Sequence, residues 1–353
     1  MSNLHRFPTR PKPVLITGGA GFLGSNLADR LASDGVPVLV FDSLERPAAE
    51  RNLVWLKQRH GGLISVSVAD IRDEDAVDHA VRHAAAVFHL AAQVSVAASF
   101  ADPTADFAIN ARGTLNVLEA LRRRSYPPPL LYASTSRVYG RLEASDPTLI
   151  RLGAVDAGVA EDTPPAFHSP YACSKGAADQ YVLDYARSFD LPAVVFRLSG
   201  VYGPRQFGTE DQGWIARFLI GALAGEPVTV HGDGRQVRDV LYVQDAVDAW
   251  LSAWIAIDTV RGRAFNLGGG AGSRLSQLEL LQRIPGLTGR APVVAFAAAR
   301  PGDQPWYVSD TSALAEAIGW QPQVDLTQGL GLLTRWLSDQ VVPAVAQRQG
   351  VPA

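Results

Sequence analysis

Residues 14–31 of the chain read VLITGGAGFLGSNLADRL. The apolar start has the length and composition of a buried strand, and the stretch after Gly24 has helical spacing. Gly18, Gly21 and Gly24 lie between them, where glycine permits a tight turn and lets the backbone approach a pyrophosphate at a helix N-terminus. This stretch therefore predicts a strand, a dinucleotide-binding turn and a helix. The alternative is a tight strand-to-helix turn without a ligand.

Strand and helix patterns alternate through the first half of the chain. Apolar runs predict further strands at 36–41, 64–68, 85–90 and 130–134. Helical spacing is found between them at 74–83 and 114–124. This alternation predicts an α/β fold of Rossmann type, a doubly wound parallel sheet with helices on both faces.

The pattern changes after about residue 197, where Gly and Pro become frequent and the segments shorten. We expect a smaller mixed α/β lobe that binds the substrate. The predicted division is a polar N-terminal tail (1–12), an NAD-binding Rossmann domain (13–197 and about 237–262) and a substrate-binding lobe (about 198–236 and 263–345).

The composition is that of an ordinary globular protein. The 353 residues carry a formal charge of -3 with 47% hydrophobic residues, which disfavours nucleic-acid binding. The polar first dozen residues predict no signal peptide, and no apolar run reaches the length of a membrane span. The single cysteine, Cys173, fits a reducing cytoplasm, and we expect it to pack in the core. The scattered histidines predict no metal site.

An acidic residue follows the second predicted strand. Asp42 lies about 20 residues beyond the glycines, where a carboxylate accepts a ribose 2′-hydroxyl and repels a 2′-phosphate. NAD is therefore favoured over NADP, although Arg46 lies close enough in sequence to keep NADP open. The alternative for Asp42 is a solvated acid at a strand end.

Tyr171 and Lys175 lie four residues apart in SPYACSKGAADQY. On a helix this spacing puts both side chains on one face. A neighbouring ammonium favours the phenolate form of a tyrosine, and a phenolate can take the proton of a sugar hydroxyl. The pair also occurs by chance in many helices. Its position downstream of the glycine turn and of Thr135 predicts a nicotinamide-dependent enzyme.

The motifs together resemble the extended short-chain dehydrogenase/reductase (NAD-dependent epimerase/dehydratase) family. The resemblance implies that Thr135, Tyr171 and Lys175 are catalytic, that Lys175 lowers the pKa of Tyr171, and that Asn110 supports the active-site helix. It also implies that these enzymes form dimers, so we expect a homodimer or homotetramer. The NAD-binding positions that it implies are Gly18, Gly21, Phe22, Leu23, Gly24, Asp42, Asp70, Ile71, Leu90, Ala91, Ala92, Asn110, Tyr171 and Lys175.

Two residues narrow the reaction within this family. The 4,6-dehydratases carry Asp-Glu where this chain has Ser136 and Arg137, and the related decarboxylases need Glu in place of Arg137. Arginine stays protonated in proteins, so it replaces neither the acid nor the base. Epimerisation without net oxidation is therefore favoured.

A narrower resemblance is to CDP-tyvelose (CDP-paratose) 2-epimerases. It rests on YGPRQFGTEDQGW, HGDGRQVRDVLYVQD and RPGDQPWYVSD. It implies transient oxidation at C2 of a CDP-3,6-dideoxyhexose and return of the hydride to the opposite face. Gly200 stands where many relatives have Asn. The alternatives are a UDP- or GDP-hexose 4-epimerase and a non-catalytic NAD-binding scaffold.

The predicted substrate contacts lie in the second lobe. Arg238 and Arg300 are candidates for the diphosphate, because a guanidinium binds phosphate oxygens in pairs. Arg205 and Gln206 lie in a loop that could close over the sugar. Thr229 and His231 alternate along one strand and could form a wall for the pyrimidine, or be ordinary half-exposed strand residues.

Overall fold

A computed structural model describes residues 11–143, 145 and 158–348. Most of the predicted N-terminal tail therefore lies outside the described residues. In chain order the strands are β1 (Val14–Thr17), β2 (Val38–Asp42), β3 (Ile64–Val68), β4 (Val87–His89), β5 (Leu130–Thr135), β6 (Ala193–Leu198), β7 (Gly200–Tyr202), β8 (Val228–His231), β9 (Val237–Tyr242), β10 (Ala264–Leu267), β11 (Arg274–Ser276), β12 (Val294–Ala297) and β13 (Trp306–Tyr307).

The α-helices flank these strands, and a π-helical turn at Ala108–Arg112 leads into one of them. They are α1 (Phe22–Ser33), α2 (Pro47–His60), α3 (Glu74–Arg82), α4 (Val96–Ala101), α5 (Pro103–Phe107), α6 (Gly113–Arg122), α7 (Pro170–Ser188), α8 (Trp214–Ala224), α9 (Val243–Ile255), α10 (Ile257–Val260), α11 (Gln277–Thr288), α12 (Ser312–Ile318) and α13 (Leu326–Arg348).

A parallel sheet dominates the described part of the chain. Its seven strands lie in the order β10-β6-β5-β4-β1-β2-β3. Alternate residues of β1 enter different cores, because successive side chains of a strand point to opposite faces. Ile16 packs in the same core as Leu27 of α1, and Leu15 in the same core as Val182 of α7. The predicted Rossmann-type sheet, covered on both faces, is confirmed.

The remaining strands form smaller sheets. β9 pairs in parallel with β7 and β13 and antiparallel with β11, and β8 pairs in parallel with β12. A separate core lies behind them, in which Leu219 of α8, Leu280 of α11 and Leu333 of α13 are fully buried. A mixed α/β unit therefore stands beside the large sheet, as predicted.

Two strands lie differently from the predicted domain ranges. β9 belongs to a small sheet, although the predicted Rossmann domain includes residues 237–262. β10 completes the large sheet, although the predicted substrate-binding lobe includes residues 263–345. α9 does pack on the large sheet, where Trp250 stacks on Phe88 and Phe196. The division itself stays a prediction. None of the described helices is long and apolar enough to cross a membrane.

Candidate active site

The glycine turn forms a cradle at the N-terminus of α1. Gly18 has φ +68°, and a Cβ on it would lie 2.7 Å from the amide nitrogen of Ala91. A Cβ on Gly24 would lie 2.3 Å from the carbonyl oxygen of Gly18. Phe22 and Leu23 begin the helix beside it. Side chains are therefore excluded where the backbone must approach a pyrophosphate, and the cradle fits a dinucleotide.

Asp42 lies beside this cradle at the end of β2. Its Oδ2 accepts the backbone N–H of Ala20 at 3.0 Å, and its Oδ1 accepts that of Leu44 at 2.9 Å. Each oxygen keeps a further lone pair for a donor such as a ribose hydroxyl. The position of the carboxylate next to the glycine turn fits the predicted role.

A buried series of hydrogen bonds supports the glycine turn. Thr17 Oγ1 lies 2.6 Å from His89 Nδ1, and His89 Nε2 lies 3.0 Å from Thr114 Oγ1. Burial lowers the pKa of His89 to about 3, so the ring is neutral at pH 7. Thr17 also accepts the backbone N–H groups of Leu90, on its carbonyl, and Ala91, on its hydroxyl. These hydrogen bonds fix two of the predicted cofactor residues, Leu90 and Ala91, against the glycine turn.

The next predicted cofactor pair lies after β3. Asp70 binds Arg72, with Arg72 Nε 2.9 Å from Asp70 Oδ1, and this hydrogen bond lowers the pKa of Asp70. Ile71 is buried under Gly113, and its carbonyl accepts the side-chain amide of Asn116 at 3.1 Å. The carboxylate of Asp70 is thus held by an arginine of the same loop, while Ile71 packs against α6.

The predicted catalytic residues converge on the carboxyl end of β5. Ser169 caps α7 by accepting the backbone N–H of Ala172 at 3.1 Å, which fixes the first turn with Tyr171. Tyr171 and Lys175 are both buried. Thr135 lies close enough to Tyr171 for its hydroxyl to act on the phenol. Sequence positions far apart are thus brought to one point.

Burial and the neighbouring groups act on the pKa of Tyr171 in opposite directions. Burial raises this pKa, whereas the Thr135 hydroxyl and the charge of Arg137 lower it. The expectation that Lys175 also lowers the pKa of Tyr171 stays a prediction.

The side chain of Lys175 contacts strand β5 of the large sheet. Its Nζ donates to the carbonyl of Ala133 at 2.6 Å and lies 4.3 Å from the centroid of the Tyr132 ring. Burial lowers the pKa of Lys175 to about 7, while the carboxylates of Asp179 and Asp106 act in the opposite direction. The ammonium can therefore exchange its proton near neutral pH.

Asn110 ties the π-helical turn to the catalytic helix. Its Nδ2 donates to Ser174 Oγ and to the carbonyl of Gln93, both at 3.0 Å. Its Oδ1 accepts the backbone N–H of Gln93 at 2.9 Å. These contacts place Asn110 as a support of α7.

A buried ion pair that was not predicted lies behind α7. Arg197 binds both oxygens of Asp179, with distances of 3.0 and 3.1 Å, and also donates to Tyr139 Oη at 3.0 Å. Tyr139 Oη in turn donates to Asn266 Oδ1 at 2.8 Å. The signal was present, since Arg197 interrupts the apolar run AVVFRL and a buried charge needs a partner.

Arg238 is joined to the catalytic turn through one carboxylate. Its Nη2 donates to Asp303 Oδ1 at 3.0 Å, and Arg137 Nη2 lies 3.5 Å from the same oxygen. Burial, aided by the like charge of Arg137, lowers the pKa of Arg238 to about 9. Arg238, predicted to bind the diphosphate, thus lies beside Arg137 of the catalytic turn.

Arg300 and His231 form a second polar group. Arg300 Nη2 lies 2.9 Å from His231 Nε2, and its Nη1 donates to the carbonyl of Glu210 at 2.7 Å. Thr229 and His231 share the outer face of β8, opposite the buried Val228 and Val230. Three predicted substrate residues are therefore brought together.

The structure does not bring Arg205 to this group. Its guanidinium lies 3.7 Å from the centroid of the Trp55 ring and 5.7 Å from that of Trp336. Gln206 donates to the carbonyl of Val201 at 3.1 Å, and its buried Oε1 has no partner among the described residues. The contacts of Arg205 give no support to a substrate role, whereas Gln206 retains a free acceptor.

Cys173 is exposed, which corrects the expectation that it packs in the core. It lies about half a turn from Tyr171 on α7, as the helical period predicts. The faces carrying Tyr171, Ser174 and Lys175 are the buried ones. The side of α7 that holds Cys173 therefore faces away from the sheet.

Comparisons with known proteins agree with this geometry. Residues 14–268 match the NAD dependent epimerase/dehydratase family. The chain is 42% identical to the CDP-paratose 2-epimerase of Salmonella typhi over 92% of its own length and 99% of that protein. It is 36% identical to the UDP-glucose 4-epimerase of Mycolicibacterium smegmatis over 90% of its own length and 96% of that protein.

A solved structure shows the same architecture. The Thermus thermophilus UDP-glucose 4-epimerase in complex with NAD superposes with a TM-score of 0.79 at 33% identity, over 92% of this chain and 98% of the other. The predicted family and the prediction of an NAD-dependent sugar-nucleotide epimerase are thereby confirmed. The chain belongs to the NAD dependent epimerase/dehydratase family.

Proposed function

We propose that this enzyme is a 2-epimerase that interconverts CDP-paratose and CDP-tyvelose. The observation that carries the epimerase chemistry is the buried Tyr171, on whose pKa both Thr135 and the cationic Arg137 act. The choice of CDP-sugar and of C2 is supported by the similarity to the Salmonella typhi CDP-paratose 2-epimerase along almost the whole of both chains.

Tyr171 and Thr135 would act on the proton of the reacting hydroxyl. Thr135 Oγ1 accepts the backbone N–H of Arg137 at 3.2 Å, which leaves its O–H free to donate to the Tyr171 oxygen. A hydrogen bond in this direction favours the phenolate. Tyr171 then takes the proton from the sugar hydroxyl and returns it when the sugar is reduced again.

NAD would be held by the glycine cradle and Asp42, and when bound it supplies the acceptor and donor of the hydride. Lys175 lies below Tyr171 on the same face of α7 and can give or take a proton near neutral pH. No external reductant is required, because the oxidation and the reduction cancel within one cycle.

The residues at the catalytic turn disfavour elimination of water. Ser136 is buried in the turn after Thr135, and Arg137 is bound to the loop that carries Asp303. Elimination needs an acid and a base at these two positions, which neither residue provides. Epimerisation is therefore preferred over dehydration.

The second lobe would hold the nucleotide while the keto sugar rotates to present its opposite face to the hydride donor. Arg238 and Arg300 are proposed for the diphosphate, and Thr229 and His231 for the pyrimidine. The Oε1 of Gln206 is available to a sugar hydroxyl.

Gly200 bears on the choice of sugar. A Cβ on Gly200 would make only ordinary contacts, at 3.4 Å from the carbonyl of Asp239 and from Val240 Cγ1. The backbone would thus accept a side chain, and its absence removes a polar contact that a deoxy sugar does not need. This supports a dideoxyhexose as substrate.

The test is NMR of the purified protein mixed with CDP-paratose or CDP-tyvelose, with no added cofactor. Interconversion, followed through the proton coupling at C2, would establish the sugar, the nucleotide and a tightly held NAD together. An unchanged spectrum in a preparation that contains NAD would overturn the proposal.

A UDP-hexose 4-epimerase is the second candidate, supported by the Mycolicibacterium smegmatis relative. UDP-glucose and UDP-galactose in the same NMR assay distinguish it, since the coupling at C4 would then change. The homodimer or homotetramer and the cytoplasmic location stay predictions.

A further inference from the structure

Arg137 links the catalytic turn to the loop at residues 300–304. Its Nη1 donates to the carbonyl of Gly302 at 2.9 Å, and its side chain is 26% exposed. A Cβ on Gly302 would lie 3.3 Å from the Cβ of Ser169, the residue that caps α7. The guanidinium is therefore anchored close to the start of the catalytic helix, two residues beyond Thr135.

The charges around Asp303 do not balance. Arg137 and Arg238 share its Oδ1, at 3.5 and 3.0 Å, so two guanidinium groups face one carboxylate. Burial lowers the pKa of Arg238 to about 9, so this guanidinium is still protonated at neutral pH. At neutral pH two guanidinium groups therefore share the carboxylate of Asp303, although the carboxylate of Asp239 also acts on Arg238.

Tyr171 is one of those sites. The charged groups that act on it are Arg137 from the catalytic turn, Arg46 from the loop after β2 and Asp106 from α5. The phenol of Tyr132 on β5 also lies within electrostatic range. Arg46 is bound to Gln212 by a hydrogen bond of 3.0 Å across the surface. Among the cations, the charge of Arg137 contributes most to lowering the pKa of Tyr171.

Lys175 is poorly suited to supply this charge alone. Its Nζ is bound to the carbonyl of Ala133, and burial lowers its pKa to about 7. Its charge therefore varies across the pH range in which an enzyme works, whereas a guanidinium keeps its charge at neutral pH.

We propose that Arg137 is a positioning residue that stabilises the phenolate of Tyr171 through its fixed charge, and that Asp303 sets the strength of this effect. The proposal rests on the proposed function insofar as Tyr171 acts as the base. The alternative is a purely structural role, in which Arg137 only clamps the 300–304 loop.

The two roles predict different signs for two variants. Arg137→Met removes the charge, so the pKa of Tyr171 should rise by about one unit and kcat on the acid limb should fall about tenfold. Asp303→Asn removes the neutralising carboxylate and should lower the pKa of Tyr171. If Arg137 only anchored the 300–304 loop, both variants would release that loop. The pKa of Tyr171 would then shift in the same direction in both.

The measurement is a pH titration of ring-labelled tyrosine by NMR in the NAD-loaded protein. The Tyr171 signal is assigned from its loss in Tyr171→Phe. Arg137→Lys keeps the charge and should retain the wild-type titration. Arg141→Met, which removes an exposed arginine paired with Glu143, is the control and should leave it unchanged.

An upward shift in Arg137→Met together with none in Arg137→Lys supports the proposal. An unchanged Tyr171 titration in Arg137→Met, or upward shifts in both Arg137→Met and Asp303→Asn, would overturn it. If Arg137→Met does not fold, Asp303→Asn alone tests the proposal. A lower pKa of Tyr171 in Asp303→Asn is expected only if the charge of Arg137 acts on Tyr171. This readout needs no substrate, so failure of the epimerase assay leaves it informative.

Discussion

The ammonium of Lys175 is held 2.6 Å from the carbonyl oxygen of Ala133, and the lysine is buried. A single neutral acceptor compensates little of the cost of burying a charge. Burial therefore lowers the pKa of Lys175 to about 7 from its ordinary value of 10.5, although the carboxylates of Asp179 and Asp106 act in the opposite direction. The position of the lysine therefore makes the stability of the protein depend on pH.

Lys175→Met should flatten the pH dependence of stability above neutral pH. Between the folded pKa of about 7 and the unfolded value of 10.5, the unfolded wild-type chain binds more protons, so its stability rises with pH. The slope lost in the variant should approach about 1.4 kcal/mol per pH unit. Denaturant unfolding of nucleotide-free protein from pH 6 to 10 measures it.

Lys57→Met is the matched control. Lys57 also donates to a carbonyl, that of Ile64, at 2.6 Å, but it lies on the surface. Its replacement should leave the slope unchanged. Equal slopes in wild type and Lys175→Met would show that Lys175 is charged in the folded protein throughout this range.

Tyr171→Phe should abolish turnover while NAD binding is retained. The ring still fills its buried site, but the group that takes the proton is missing, so kcat should fall by about 10²–10⁴. Co-purified NAD is quantified after denaturation, and turnover is followed by NMR. Tyr181→Phe changes a half-exposed tyrosine of the same helix and should retain activity. A near-normal rate in Tyr171→Phe would exclude Tyr171 as the base.

Gly24→Ala should destabilise the protein and reduce its NAD content, although alanine favours helices by about 1 kcal/mol over glycine. The new Cβ would lie 2.3 Å from the carbonyl oxygen of Gly18, and backbone cannot move aside as a flexible side chain can. Gly62→Ala, where a Cβ meets nothing within 4 Å, is the control. Thermal melting and the NAD content distinguish the two variants.

Asp179→Asn should cost about 3–5 kcal/mol of unfolding free energy, because it leaves the guanidinium of Arg197 buried without its counter-charge. Asp184→Asn, on the same helix, removes an exposed partner of Arg187 and should cost at most about 1 kcal/mol. Urea unfolding of both variants tests this. Similar costs would mean that the Arg197 site is hydrated.

Features fixed by local stereochemistry could be predicted from the sequence. The glycine turn depends on neighbouring residues, and β3 spans Ile64–Val68 as predicted. The helical period placed Tyr171 and Lys175 together, because four residues return to the same face. The helical period also placed Cys173 on another face of α7. It does not indicate whether another element covers that face.

Features that depend on distant partners could not be predicted. β9 belongs to a small sheet because it pairs with β7, β11 and β13. The sequence VRDVLY of β9 does not indicate these partners. The sharing of Asp303 by Arg137 and Arg238 arises only when two loops meet. The direction of the Tyr171 pKa follows from burial, which spacing does not report.

The strand order has a consequence for how the chain folds as it is synthesised. β1 is made first but lies inside the sheet, between β2 and β4. On the ribosome it can pair with β2 at once, while its other edge stays open until residues 87–89 have emerged. An open strand edge invites pairing with other chains. The nascent protein therefore presents an open edge of β1 until β4 has been made, and the dinucleotide cradle is completed only when Ala91 reaches Gly18.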